Sequence, residues 1–244
     1  MENELQIRIQ KNLDEINEIV TRAAMRSGRN ADEITVLAVS KRQPVEVIEA
    51  AYRCGQMVFG ESYVQEALPK IEHFQGKADV RWDMVGHIQS RKARQVAESF
   101  HTVHSLDSIN LAQLLSRHRP GNLPPLDVFL EVNIGDEGSK SGFLTATQED
   151  WEELIIVVKQ LIELPKINLV GLMGMPPLFA DPQESRPYFQ KLKKLSTFLA
   201  DAVAGARLTQ LSAGTSADFE VAIEEGSTIV RIGERLLGPR DYSI

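Results

Sequence analysis

Apolar residues at Leu5, Ile9, Leu13, Ile16, Val20 and Ala24 recur in steps of three and four, the spacing of an amphipathic helix with one buried stripe. Ser27-Gly28 supplies a suitable stop for that helix. Beyond it the pattern changes to short β-rich runs alternating with helical ones. The strand runs are 34–40, 56–60, 80–86, 102–105, 126–134, 167–173, 207–212 and 228–233, eight in all. Helical stretches at 45–52, 62–74, 90–98, 109–117, 148–164, 185–204 and 219–225 lie between or after them. Strict alternation implies parallel strands joined by helical crossovers. Runs such as ITVLAV and VFLEV are nearly continuous in apolar residues, which fits burial on both faces of a sheet. Eight units of this kind in about 210 residues predict a closed (β/α)8 TIM barrel of class α/β, with an open doubly wound sheet as the alternative. Residues 121–125 (GNLPP) are the most loop-like stretch, but the alternation runs through them. The expectation is one domain over 1–244, with the amphipathic helix of 1–28 packed on the barrel.

Composition narrows the function classes. Hydrophobic content of 43% and charged content of 25% are those of an ordinary globular protein. A net charge of −7 argues against a nucleic-acid surface, because phosphate backbones select clustered Lys and Arg. The local basic stretch Arg91, Lys92 and Arg94 reads as the solvated face of a helix. Cys54 is the single cysteine, so no intrachain disulfide is possible, and it reads as a buried structural thiol in a reducing compartment. The charged, amphipathic N-terminus has no apolar h-region of a secretory signal. The longest apolar run, 154–158, is far short of a membrane span. The expected setting is therefore cytoplasmic, with no membrane and no nucleic-acid partner.

In such barrels chemistry gathers where the strands end and the βα loops begin. Here those ends read Ser40-Lys41-Arg42, Gly60-Glu61-Ser62-Tyr63, Gly86-His87-Ile88-Gln89, His104-Ser105-Leu106-Asp107, Asn133, Met173-Gly174-Met175, Ser212-Ala213-Gly214-Thr215-Ser216 and Arg231 with Gly233. Polar, small and glycine residues concentrate on one rim.

Lys41 follows the apolar run LAVS, and alternation puts it on the face of Leu37 and Val39. An amine held there is desolvated, its pKa falls, and the neutral form is a competent Schiff-base nucleophile. The plainer alternative is a lysine snorkelling to solvent. Arg42 next door adds like-charge repulsion. In LSAGTSADFEVAIEEG, a strand end, a glycine and the hydroxyls of Ser212, Thr215 and Ser216 precede a helix, so donors converge where an anion such as phosphate would bind. The alternative is a simple helix cap from Ser216 or Asp218. Gly214 belongs to this loop, and Gly233 lets the eighth strand approach the same anion closely. Arg231 shares a face with Gly233. If that face is inward, its guanidinium must find an acceptor, either a pyridine nitrogen or a carboxylate such as Asp218, Glu220 or Asp241. His87 either lines the cavity or is structural. His101 and His104 are spaced by three and make a poor metal pair, and Glu137 with Lys140 reads as a surface ion pair or loop tether.

The segments AVSKRQP, FGESYVQE, WDMVGHIQSRK, VHSLDS, EVNIGDEGSKSGF, GLMGMPP, LSAGTSADFEVAIEEG and TIVRIGERLLGPRDY together resemble the pyridoxal phosphate homeostasis proteins, also called proline synthase co-transcribed homologues. The resemblance runs from about residue 34 to 242, with one motif per strand end, in order. It implies the barrel of the alanine racemase N-terminal domain (the fold-type III arrangement) and pyridoxal 5′-phosphate as the cofactor. Lys41 would then form the internal aldimine, Ser212 to Ser216 and Gly233 contact the phosphate, and Arg231 meet the pyridine nitrogen. It also implies a role in vitamin B6 and amino-acid balance without a settled enzymatic activity. Two positions depart from the family pattern. Ser62 stands where the family reads Asn in GENY, too short to replace it without a water. Ser212-Ala213-Gly214-Thr215-Ser216 stands where the family often reads SMGMS, a change that backbone contacts to phosphate would survive.

A carrier or regulator of the cofactor is the expected function, with an amino-acid racemase as the alternative. Racemisation needs acid and base groups on both faces of the substrate. Lys41 serves one face, Tyr63 is the nearest internal candidate for the other, and no residues remain after Ile244 for the separate β domain that supplies that group in the racemases resembled. The expected partners are pyridoxal 5′-phosphate and apo-enzymes that use it, and the expected state is a monomer.

Overall fold

The computed structural model describes residues 2–138 and 141–240. The eight strand runs form a closed parallel barrel: β1 (Thr35–Val39), β2 (Val58–Glu61), β3 (Arg81–Met84), β4 (Thr102–Leu106), β5 (Leu126–Asn133), β7 (Ile167–Gly174), β8 (Gln210–Thr215) and β9 (Ile229–Ile232). Each pairs in parallel with the next, β4 pairs with β5, and β9 closes on β1 through the register Thr35 to Ile229 and Leu37 to Arg231. A two-residue strand β6 (Phe143–Leu144) adds itself to the end of β5 at Val132 and Asn133. It was not expected, because two residues carry no readable period.

Helices α2 (Val45–Arg53), α3 (Val64–His73), α4 (Ala93–Ser99), α5 (Ile109–His118), α6 (Gln148–Ile162), α7 (Arg186–Ala202) and α8 (Phe219–Glu224) follow the strands, and a four-residue helix α9 (Glu234–Leu237) ends the barrel. Local chemistry explains their starts. Ser108 caps α5 by accepting from the Leu111 amide, and Thr147 with Asp150 forms a reciprocal capping box at α6.

Two apolar layers hold the barrel. Inside, Leu37, Val39, Phe129, Val170, Met173 and Ile229 fill the lumen. Outside, the alternate residues of the same strands, such as Ala38, Val128, Leu130 and Ile232, pack under the helices. A fully buried Leu or Ile contributes roughly 1.5–3 kcal/mol, so this sandwich of two layers carries most of the folding drive. The first helix, α1 (Glu2–Arg26), buries Ile9, Leu13, Ile16, Val20, Ala23 and Ala24 and packs on α2, α8 and α9. Arg26 fastens it to Glu224 of α8 at 2.7 Å and also pairs with Glu220.

The seventh run is displaced by three residues from its expected place. The strand continues through Ala213 and Gly214 to Thr215 with its pairing to β9 shifted between Ser212 and Thr215; Gly214 adopts φ +92° within that irregularity, and a Cβ there would lie 2.6 Å from that of Ala222. A side chain would push α8 off the strand. Cys54 is half-buried at the end of α2, pointing its thiol at the Gln6 carbonyl, 3.6 Å away, and burial raises its pKa; this is a packing thiol. Among the described residues no helix is long and apolar enough to cross a membrane, and no group of His, Cys, Asp and Glu is arranged to hold a metal.

Candidate functional site

The C-terminal ends of the barrel strands surround a cavity of about 810 Å³. Because Leu37 and Val39 point into the lumen, the next residue on that face, Lys41, arrives at its mouth. Burial lowers the pKa of the Lys41 amine, helped by Arg240 and Arg42 and opposed by Glu61 and Glu66. Lys41 lines the cavity and is half-buried.

The turn that carries Lys41 is clamped on both sides. Ser40 donates its hydroxyl to Glu61 Oε1 at 2.7 Å, and its carbonyl accepts from Lys70 Nζ at 2.9 Å. Lys70, on α3, also reaches Glu61 at 2.8 Å and Glu66 at 2.5 Å. Glu66 in turn accepts the backbone N–H of Arg42, which sits at φ +57°. A left-handed conformation costs a non-glycine residue roughly 1–2 kcal/mol, and the clamp keeps it in place. Burial raises the Glu61 carboxyl above the ordinary range, with Lys70 and Ser40 pulling it back.

On the opposite side, Arg231 is 6% exposed. Its Nη1 donates to the Ser212 carbonyl at 2.8 Å and the Ser212 hydroxyl at 2.7 Å. Ser212 continues to His104 Nδ1 at 2.7 Å, and His104 Nε2 meets Asp83 at 3.1 Å. Phe129 stacks on the His104 ring from below the cavity. Burial holds the His104 pKa down and brings Arg231 to about 10. Nη2 of Arg231 has no partner, although the residue lines the cavity. Neither Asp218 nor Glu220 forms an ion pair with it: Glu220 is engaged by Arg26, and Asp218 closes its own turn by accepting from Thr215 N and Oγ1. Asp241 and Lys140 lie outside the described residues.

Of the other residues expected at the site, Ser62, His87, Thr215, Ser216 and Gly233 line the cavity with Lys41 and Arg231. Two stand apart. The Ser212 hydroxyl is wholly buried between His104 and Arg231, so it supports the guanidinium and does not face the mouth. Gly214 lies under α8 and serves packing. His87 is mostly exposed and pairs with Asp107 at 3.0 Å. Lys92, read as part of a solvated helix face, borders the cavity.

Sequence reasoning passed over three residues. Arg240 lines the cavity and pairs with Glu234 at 3.4 Å; it follows the last strand run and carries no periodic signal. Lys70 looked like any solvent-facing helical lysine. Glu131 sits in the middle of the apolar run VFLEV, and that interruption was the available signal. It is 9% exposed, its Oε2 has no partner, and burial pushes its pKa up to about 7.

Fold and mouth together define a class, a parallel barrel with a half-buried lysine and a buried arginine lining one cavity at the strand ends. The family profile described as alanine racemase, N-terminal domain, matches residues 11–241. The chain is 41% identical over 242 residues to the pyridoxal phosphate homeostasis protein of Escherichia coli strain K12, spanning 96% of this chain and 98% of that one. It superposes with a TM-score of 0.80 and 30% identity on PipY of Synechococcus elongatus PCC7942 with PLP bound, covering 94% of this chain and all of that one. Alanine racemase of Clostridium difficile 630, at 18% identity and a TM-score of 0.68, shares the fold; the match covers 56% of its length. The chain belongs to the pyridoxal phosphate homeostasis protein family, within the alanine racemase N-terminal class of barrels.

Proposed function

We propose that this protein binds pyridoxal 5′-phosphate on Lys41 and serves as a carrier or regulator of the cofactor in vitamin B6 homeostasis, with no committed turnover of its own. The observation that carries this reading is the pairing, across one cavity, of a half-buried amine with a lowered pKa and a buried guanidinium whose Nη2 is unpaired. The cofactor supplies an aldehyde that condenses with a primary amine, an anionic phosphate, and a ring nitrogen that accepts a hydrogen bond.

The residues present fit each of those groups. Lys41 would take the aldehyde carbon, since the neutral amine is the nucleophile. Thr215, Ser216 and Gly233, beside the turn before α8, would take the phosphate, with Arg240 as the nearby cation. Arg231 Nη2 would donate to the ring nitrogen. A guanidinium stays protonated and donates, so the ring nitrogen would remain unprotonated and the ring a weak electron sink, which suits holding the cofactor better than transforming a substrate on it.

The racemase alternative draws on Tyr63, about half exposed at the cavity rim, as the second acid–base group. The open mouth admits water to any such reaction and weakens control over proton return.

Incubation with pyridoxal 5′-phosphate is expected to produce a yellow protein whose visible band disappears on borohydride reduction, with the label on Lys41. Lys41→Ala should abolish the band and leave the far-ultraviolet circular dichroism unchanged. A colourless wild type refutes the reading. Chiral analysis after incubation with L-alanine separates the two functions, because turnover at ordinary enzyme rates would favour the racemase.

A further inference from the structure

Glu131 is the feature of the cavity that cofactor attachment at Lys41 leaves unused. It stands on β5 directly above Phe129, on the lumen-facing side, and lines the cavity. Its Oε2 is buried without a hydrogen-bond partner. A carboxylate in that position is poorly solvated and disfavours any second negative charge brought into the same low-dielectric space. Among the described residues, the charged groups that act on it are Asp107 after β4, which repels, and Arg231 on β9 and His87 after β3, which attract. Met173, its register partner on β7, is apolar. None of the three charged groups makes an ion pair with it: Arg231 is bonded to Ser212, and His87 to Asp107.

We propose that Glu131 is a specificity-determining residue that couples entry of the anionic cofactor to the uptake of one proton, so that the cavity takes the phosphorylated ligand with the carboxyl neutral and loses it as that carboxyl ionises. The inference rests on the reading that the cavity binds pyridoxal 5′-phosphate. Its physical content is a linkage. The ligand would bring a phosphate and a ring oxygen into the cavity that Glu131 lines, and each like charge there would raise the cost of ionising the carboxyl. Protonation removes that repulsion and gives Glu131 an O–H donor where the carboxylate could only accept. The proton comes from solvent and ends on Glu131, with no bond to the ligand made or broken. Because burial, with Asp107 adding to it and Arg231 and His87 opposing, already brings this carboxyl to about 7, the coupling operates near neutral pH.

Pyridoxine 5′-phosphate, which lacks the aldehyde and cannot condense with Lys41, isolates the effect from the chemistry of the amine. Calorimetric titration of the whole protein in buffers of different ionisation enthalpy counts the protons taken up on binding. At about pH 8 the wild type is expected to take up close to one proton more than Glu131→Gln. Between about pH 6 and pH 8 its affinity should fall roughly tenfold relative to that variant. Equal proton counts and parallel affinity profiles for the two proteins would overturn the inference while leaving cofactor binding intact. If Glu131→Gln folds poorly, Glu131→Leu takes its place in the same two comparisons, which cancel the protons that the ligand itself gains or loses, and the same outcomes decide. A wild type that binds neither pyridoxine 5′-phosphate nor pyridoxal 5′-phosphate at any pH overturns the binding reading, and the inference with it.

Discussion

The two sides of the barrel mouth differ in how far their polar groups are bonded to one another. On the side of β1, β2 and α3, the polar groups around the Lys41 turn are bonded to one another: Ser40 to Glu61, Lys70 to Ser40, Glu61 and Glu66, and Glu66 to the Arg42 amide, although Glu61 Oε2 has no partner. On the side of β5 and β9, Arg231 keeps Nη2 and Glu131 keeps Oε2 without partners, although both residues are more than nine-tenths buried. Buried polar atoms are ordinarily satisfied, because leaving one bare costs about 1–3 kcal/mol. The contrast separates positioning from recognition. A reactive amine must be held in one place, so its supports are cross-linked within the protein, Glu61 through its Oε1 to both Ser40 and Lys70. A wall that receives a ligand keeps hydrogen-bonding capacity in reserve, and the fold bears the cost until something fills it.

The comparison can be broken most directly at its cross-linked side. Lys70→Met leaves Glu61 buried with no cation, and loss of one partner of a buried pair costs roughly 3–5 kcal/mol. Thermal unfolding should show a correspondingly large drop, with Lys70→Arg recovering part of it. A melting temperature unchanged by Lys70→Met would mean that the clamp does not hold the turn.

At the open wall the sign is reversed, and removing a charge should stabilise. The Glu131 carboxyl titrates at about 7 in the folded protein, above its ordinary 4.5. The folded state therefore holds the proton more tightly, and stability falls as pH rises from about 4.5 to about 7, then stays level. Glu131→Gln is expected to gain on the order of 2–3 kcal/mol at about pH 8 and nearly nothing at about pH 4. Urea unfolding at the two pH values measures the difference, and equal gains at both would show that the carboxyl is not desolvated.

The smallest effect belongs to His87, which lines the cavity from its exposed edge and pairs with Asp107 near solvent. Such a pair is worth about 0–1 kcal/mol. His87→Ala should change retention of pyridoxal 5′-phosphate less than about twofold, measured by dialysis and absorbance; a tenfold loss would move the recognition surface out to that loop.

The barrel was readable because its determinants are local and repeated. The stripe of Ile9, Leu13, Ile16 and Val20 and the apolar strands ITVLAV and VFLEV state their burial in one period or another. The lysine was readable for the same reason, since it continues the lumen-facing alternation of Leu37 and Val39. Ser212 was misplaced because its strand starts and ends three residues later than its apolar content suggests, which carries its hydroxyl below the mouth. Arg240 and Lys70 left no pattern at all. One sits beyond the last strand and the other on a helix, and only folding brings them to Lys41 or its supports.

By itself the sequence determined the alternation that closes the barrel and the rim on which its polar residues gather, because strand and helix periods are properties of neighbouring residues. The tertiary structure decided which of those residues are spent on each other and which are left open to a ligand. Lys70 and Glu61 are nine positions apart and Arg231 and His104 more than a hundred. Whether a buried charge finds a partner depends on distances of a few ångströms across the barrel, and no local pattern encodes them.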